Sequence, residues 1–114
     1  MALNCIVITS HESKFPEPVS FEMGDTLVLG ERDDTYSGWI WVVNGSGREG
    51  WAPESYILVN TQFSGVAIQS YTARELNTQI GDPLVCKLEL AGWLWVENVA
   101  GDSGWVPKDT VNLT

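Results

Sequence analysis

Six tryptophans, at positions 39, 41, 51, 93, 95 and 105, dominate the side-chain chemistry of this 114-residue chain. A ring of that size covers a large area and keeps one polar edge, so in a small domain it is either core filler or contact surface. Catalysis is poorly provided for. His11 is the only imidazole, no nucleophile stands in a motif with a base, and no glycine loop is shaped for phosphate. The adjacent carboxylates Asp33 and Asp34 are of a kind common in loops. Cys5 and Cys86 make no Cys-x-x-Cys pair and, with one histidine, no zinc set. A single disulfide is left open, and Cys86, inside an apolar run, reads as a small buried hydrophobe. The expectation is a non-enzymatic protein that needs neither metal nor cofactor.

The elements that position these rings come in two copies. Gly38-Trp39-Ile40-Trp41-Val42 overlies Gly92-Trp93-Leu94-Trp95-Val96 at an offset of 54, and Gly50-Trp51-Ala52-Pro53 overlies Gly104-Trp105-Val106-Pro107 at the same offset. Met23-Gly24-Asp25 overlies Ile80-Gly81-Asp82 at 57, so a loop between these landmarks is three residues longer in the first copy. Strands are expected over Thr26–Leu29 and Leu84–Leu88, Trp39–Val43 and Trp93–Val99, and Gly50–Ala52 and Gly104–Val106. Asn44-Gly45-Ser46-Gly47 and Ala100-Gly101-Asp102-Ser103 carry the chemistry of tight turns. No segment sustains a helical period, so the chain reads as all-β. The expected division is a first domain over residues 1–59, a linker over 60–64 and a second domain over 65–114. So short a linker implies a rigid or semi-rigid pair.

Fifteen acids oppose six bases, for a net charge of −9. Nucleic acid is a poor partner for such a chain, because phosphate binding needs a basic footprint. Two readings of the acids stand: they keep the chain soluble, or they steer a basic peptide or protein surface in. No apolar run approaches the roughly 20 residues of a membrane helix, and the first residues lack the parts of a secretion signal. A cytoplasmic location without membrane contact is expected.

Taken in order, the blocks resemble the Src homology 3 (SH3) family, twice over. Val7-Ile8-Thr9-Ser10-His11 and Ala67-Ile68-Gln69-Ser70-Tyr71 are similar to its opening Ala-Leu-Tyr-Asp-Tyr strand. Pro18-Val19-Ser20-Phe21-Glu22-Met23-Gly24-Asp25 and Glu75-Leu76-Asn77-Thr78-Gln79-Ile80-Gly81-Asp82 are similar to its Glu-Leu-Ser-Phe-x-x-Gly-Glu segment. Trp39 and Trp93 then begin the Trp-bearing strands, and Gly50–Ile57 and Gly104–Val111 are similar to Gly-Tyr-Ile-Pro-Ser-Asn-Tyr-Val. The resemblance implies two tandem SH3-like small β-barrels. It also implies binding of Pro-rich peptides in the polyproline II form on an aromatic groove, with loop acids holding a ligand Arg or Lys.

Carried over residue by residue, the resemblance gives the first copy His11, Trp39, Pro53 and Tyr56 as peptide-contacting residues, with Glu12, Glu17, Asp33 and Asp34 as acids for a cationic side chain. It gives the second copy Tyr71, Trp93 and Pro107, with Glu75 as the acid. Thr9 and Gln69 stand where the family has a tyrosine, and Thr110 replaces the ring that closes both proline slots. The first copy is therefore the expected peptide reader. Trp41 and Trp95 depart from the family, which has a polar or basic residue there. By alternation they lie on the side of Trp39 and Trp93, as an apolar patch. Either each ring is covered by a loop of its own copy, or at least one lies at a contact between the copies or between two chains. Two alternatives stay open: a degenerate pair that binds a folded surface as scaffold or inhibitor, and a bacterial-type SH3 module that binds cell-wall peptide or another small ligand.

Overall fold

A computed structural model describes residues 3–13 and 17–114. Among them the regular structure is strand, apart from two single 3-10 turns. The strands are β1 (Leu3–Val7), β2 (Ser20–Phe21), β3 (Thr26–Arg32), β4 (Trp39–Val43), β5 (Glu49–Pro53) and β6 (Ile57–Thr61). The second series is β7 (Ser64–Ala67), β8 (Tyr71–Thr72), β9 (Pro83–Leu90), β10 (Trp93–Asn98), β11 (Ser103–Pro107) and β12 (Val111–Leu113).

Ten of these strands form two five-stranded antiparallel sheets, in the orders β5-β4-β3-β7-β6 and β11-β10-β9-β1-β12, and β2 pairs with β8. Position by position the orders are equivalent, with one exchange: β7 does in the first sheet what β1 does in the second. The chain accordingly divides into Glu17–Ala73 and a unit that joins the N-terminal segment to Arg74–Thr114. We call these the contiguous unit and the divided unit. In chain order the first is an insertion within the second.

The structure thus divides the chain elsewhere than the expected domains over residues 1–59 and 65–114. Each sequence copy donates its opening strand to the body of the other. The physical reason lies in the expected linker, Asn60–Ser64, which is a hairpin end and not a spacer. Thr61 and Ser64 face each other across Gln62 and Phe63, and the pairing continues through Val59↔Gly65, Leu58↔Val66 and Ile57↔Ala67. Two strands joined by two residues pair with one another. Hydroxyls close the turn: Thr61 Oγ1 lies 2.9 Å from Ser64 Oγ and accepts from the Phe63 N–H at 3.2 Å. With β7 seated beside β6 and β3, β1 pairs instead with β9 (Cys5↔Leu84) and β12 (Cys5↔Leu113).

Each unit buries one face of its sheet. Val19, Leu27, Ile40, Val42, Ala52 and Ala67 are almost fully buried in the contiguous unit. Cys5, Val7, Leu76, Leu84, Cys86, Leu94, Val96, Val106 and Val111 form the core of the divided unit. Both cysteines are free thiols, and burial, then the neighbouring Cys86, pushes the Cys5 thiol above its usual range. The turns after β4 and β10 are the same structure: Asn44 Oδ1 accepts from the N–H groups of Ser46 and Arg48, and Asn98 Oδ1 from those of Ala100 and Asp102.

Candidate functional site

The exchange of opening strands puts Tyr71 and His11 each in the unit where the sequence places the other. In the contiguous unit Tyr71 enters on β8, held by pairing with Phe21 on β2. Its ring centroid lies 6.4 Å from Trp39, 6.1 Å from Tyr56 edge-on, and 5.5 Å from Phe21. Its hydroxyl donates to the Trp51 carbonyl at 3.2 Å. Trp39 stands opposite Pro53 across β4 and β5, and the 3-10 turn Glu54–Tyr56 carries Tyr56 back toward it. Tyr71, Trp39, Pro53 and Tyr56 therefore belong to one unit. The cluster is tightly covered, with 5% of Trp39 and 9% of Tyr71 exposed, and Tyr56 keeps more of its surface.

His11, expected beside Trp39 and Tyr56, lies instead in the divided unit. It meets Trp93 edge-on at 5.7 Å, and its backbone pairs with Thr78 as that of Tyr71 does with Phe21. Its Nε2 lies 2.7 Å from Glu75 Oε1, and the two side chains are only 12% and 11% exposed. Glu75, expected to receive a ligand cation, is thus engaged by the chain itself. Opposite Trp93 stands Pro107, and the Thr110 hydroxyl donates to the Pro107 carbonyl at 2.7 Å, in the place where Tyr56 stands in the other unit.

The remaining acids are distributed unevenly. Glu17, Asp33 and Asp34 belong to the contiguous unit and Glu12 to the divided one. Asp33 is spent on its own loop, where Oδ1 accepts from the N–H groups of Thr35 and Tyr36 at 2.7 and 3.0 Å. Glu12, Glu17 and Asp34 are exposed.

Trp41 and Trp95 are half-buried, and each packs edge-on against a tryptophan directly across its hairpin. Trp41 meets Trp51 at 5.2 Å and Trp95 meets Trp105 at 5.3 Å. The sequence assigns Trp51 and Trp105 no contact role, although counting back from the Asn44 and Asn98 turns gives the pairing. Trp41 also lies against Gly30, where an added Cβ would come within 3.3 Å of its side chain. Among the described residues, no group of three His, Cys, Asp or Glu side chains could hold a metal ion, and no helix is long and apolar enough to cross a membrane.

Against known proteins, residues 5–59 match the family model of the variant SH3 domain. No curated protein and no solved structure matches the chain. The match places one variant SH3 domain at residues 5–59, a little under half of the chain, and the described residues are all-β with an SH3-like fold in two five-stranded units. Domains of this kind generally serve as protein–protein interaction modules and are generally not catalysts.

Proposed function

We propose that this protein binds Pro-rich, basic peptide segments through the Tyr71–Trp39–Pro53–Tyr56 cluster of the contiguous unit, without catalysis. The observation that carries this reading is the arrival of Tyr71 beside Trp39 and Tyr56. It supplies the opening-strand ring that the first sequence copy lacks, so the unit owns three rings and a proline where a polyproline II ridge could lie. Glu17 and Asp34 are exposed acids of the same unit, available to a ligand Arg or Lys. Because Trp39 and Tyr71 are nearly covered, a ligand reaches them only by displacing what covers them. That cost lowers the apparent affinity by the fraction of molecules that are open.

The same burial favours a second reading, in which the ring cluster is structural and the chain binds a folded partner elsewhere on its surface. An NMR titration with basic Pro-rich peptides separates the two. Shifts of the Tyr56 and Trp39 signals, with Trp93 unmoved, support the peptide reading. Unmoved rings in the contiguous unit at millimolar peptide would overturn it.

A further inference from the structure

The outward face of the contiguous unit carries four apolar side chains in register. Val43 on β4 stands opposite Val28 on β3, and Val66 on β7 opposite Leu58 on β6. Val28 and Val66 are diagonal neighbours, since Val28 faces Ser64 and Thr26 faces Val66. The stripe crosses four strands, about 14 Å between the outer two. Val28 is 56% exposed and Leu58 59%, and Val43 and Val66 are half-buried. The inward residues between them, Leu27, Leu29, Val42, Ala67 and Ile57, belong to the core, so the stripe contributes little to holding the sheet together.

The fold does not require it. In the divided unit the same four positions are Glu97, Val85, Ile6 and Asn112, as the registers Glu97↔Val85 and Ile6↔Asn112 show. Glu97 there is paired with Lys87 at 2.5 Å. One barrel thus breaks these four positions with a carboxylate and an amide while the other keeps all four apolar.

The surroundings say what fits. The contiguous unit carries eight acids against Arg32 and Arg48, a net −6 of the chain's −9. Arg32 is held by Glu54 at 2.6 Å. Glu49 stands directly opposite Val43 at one end of the stripe, and Asp25 directly precedes Thr26 on β3. A second copy of the chain would press −6 against −6, which self-repulsion opposes. We propose that this face docks another protein through a surface with an apolar centre and a rim of lysine or arginine, independently of the ring cluster.

The full-length chain tests this with a peptide of about 18 residues that presents leucine on one helical face and lysine on the other, and a sibling with glutamate for lysine. The helix is wide enough, at about 10–12 Å with side chains, to lie across the stripe. Amide shifts for Val28, Val43, Leu58 and Val66 are expected with the lysine peptide, whose binding is at least about tenfold tighter than that of the glutamate sibling. Val28→Lys with Leu58→Lys should weaken it at least about tenfold, and Asn112→Lys should leave it unchanged. Shifts centred elsewhere, including on Tyr56, would overturn the proposal, as would equal binding of the two peptides. A wild-type dimer in sedimentation velocity that the double substitution abolishes would assign the face to a second copy instead. The wild-type shift map decides the matter even if the double variant misfolds.

Discussion

The contiguous and divided units are built to one plan with different surfaces. Where one gathers Tyr71, Trp39 and Tyr56, the other has His11, Trp93 and Thr110. Where one leaves an uncharged outer stripe, the other places Glu97 and Asn112. The first carries net −6 and the second the remaining −3. Much of the contrast follows the two sequence copies, since Tyr56, Val43 and Leu58 belong to the first and Thr110, Glu97 and Asn112 to the second. Tyr71 and His11 are the exception: they travel with their opening strands into opposite bodies, so the exchange completes the ring cluster in one unit and sets the imidazole beside Glu75 in the other.

That comparison breaks most decisively at the exchanged strands. Val7→Asp should bury an unpaired carboxylate in the divided unit at a cost of about 4 kcal/mol or more, and so unfold it. Hydrogen exchange should then lose protection at Leu94 and Val96 while Ile40 and Val42 keep theirs; the reverse would mean that β1 belongs to the first sequence copy after all. Ala67→Asp should give the mirror result.

A smaller effect separates two equivalent glycines. An added Cβ at Gly104 would lie 2.7 Å from Leu76 N and 2.8 Å from Glu75 C, both backbone, whereas at Gly50 it would meet a Val19 methyl at 3.1 Å. Gly104→Ala should therefore cost about 2–3 kcal/mol in urea unfolding, and Gly50→Ala clearly less. Tyr71→Phe removes the hydroxyl that reaches the Trp51 carbonyl and should destabilise the contiguous unit by about 1 kcal/mol, with the divided unit untouched. Lys87→Met and Lys108→Met break exposed ion pairs of the divided unit and should each change stability by under about 0.5 kcal/mol.

The raised Cys5 thiol adds a pH test. The unfolded chain loses this proton at lower pH than the folded one, so stability is complete below the ordinary thiol range and declines as pH rises through it. Native Cys5 should resist iodoacetamide at neutral pH and react on unfolding. Rapid native labelling would contradict its burial.

Strand positions were legible because alternation and the repeated Trp-x-Trp-Val blocks mark them directly. The expected Trp39–Val43 strand is β4 residue for residue, and β3 and β9 extend past their expected ends as far as Arg32 and Leu90. Partnership was not legible in the same way. Alternation assigns a face to β1 and β7 but cannot say which of two similar bodies receives it, since both bodies offer equivalent edges. The deciding signal was length: five residues between Val59 and Gly65 suit a hairpin better than a bridge between separate barrels. The tryptophan pairs were readable from turn register. The coupling of His11 to Glu75 was not, because it depends on the exchange.

The register of β1 on β12 also sets how the molecule bears load. Cys5 lies opposite Leu113, and the Thr114 N–H donates to the Asn4 carbonyl at 3.0 Å, so the outer ends of the two terminal strands are neighbours. Tension applied through the chain ends would open this ladder one rung at a time, as a zipper, and not shear all rungs together.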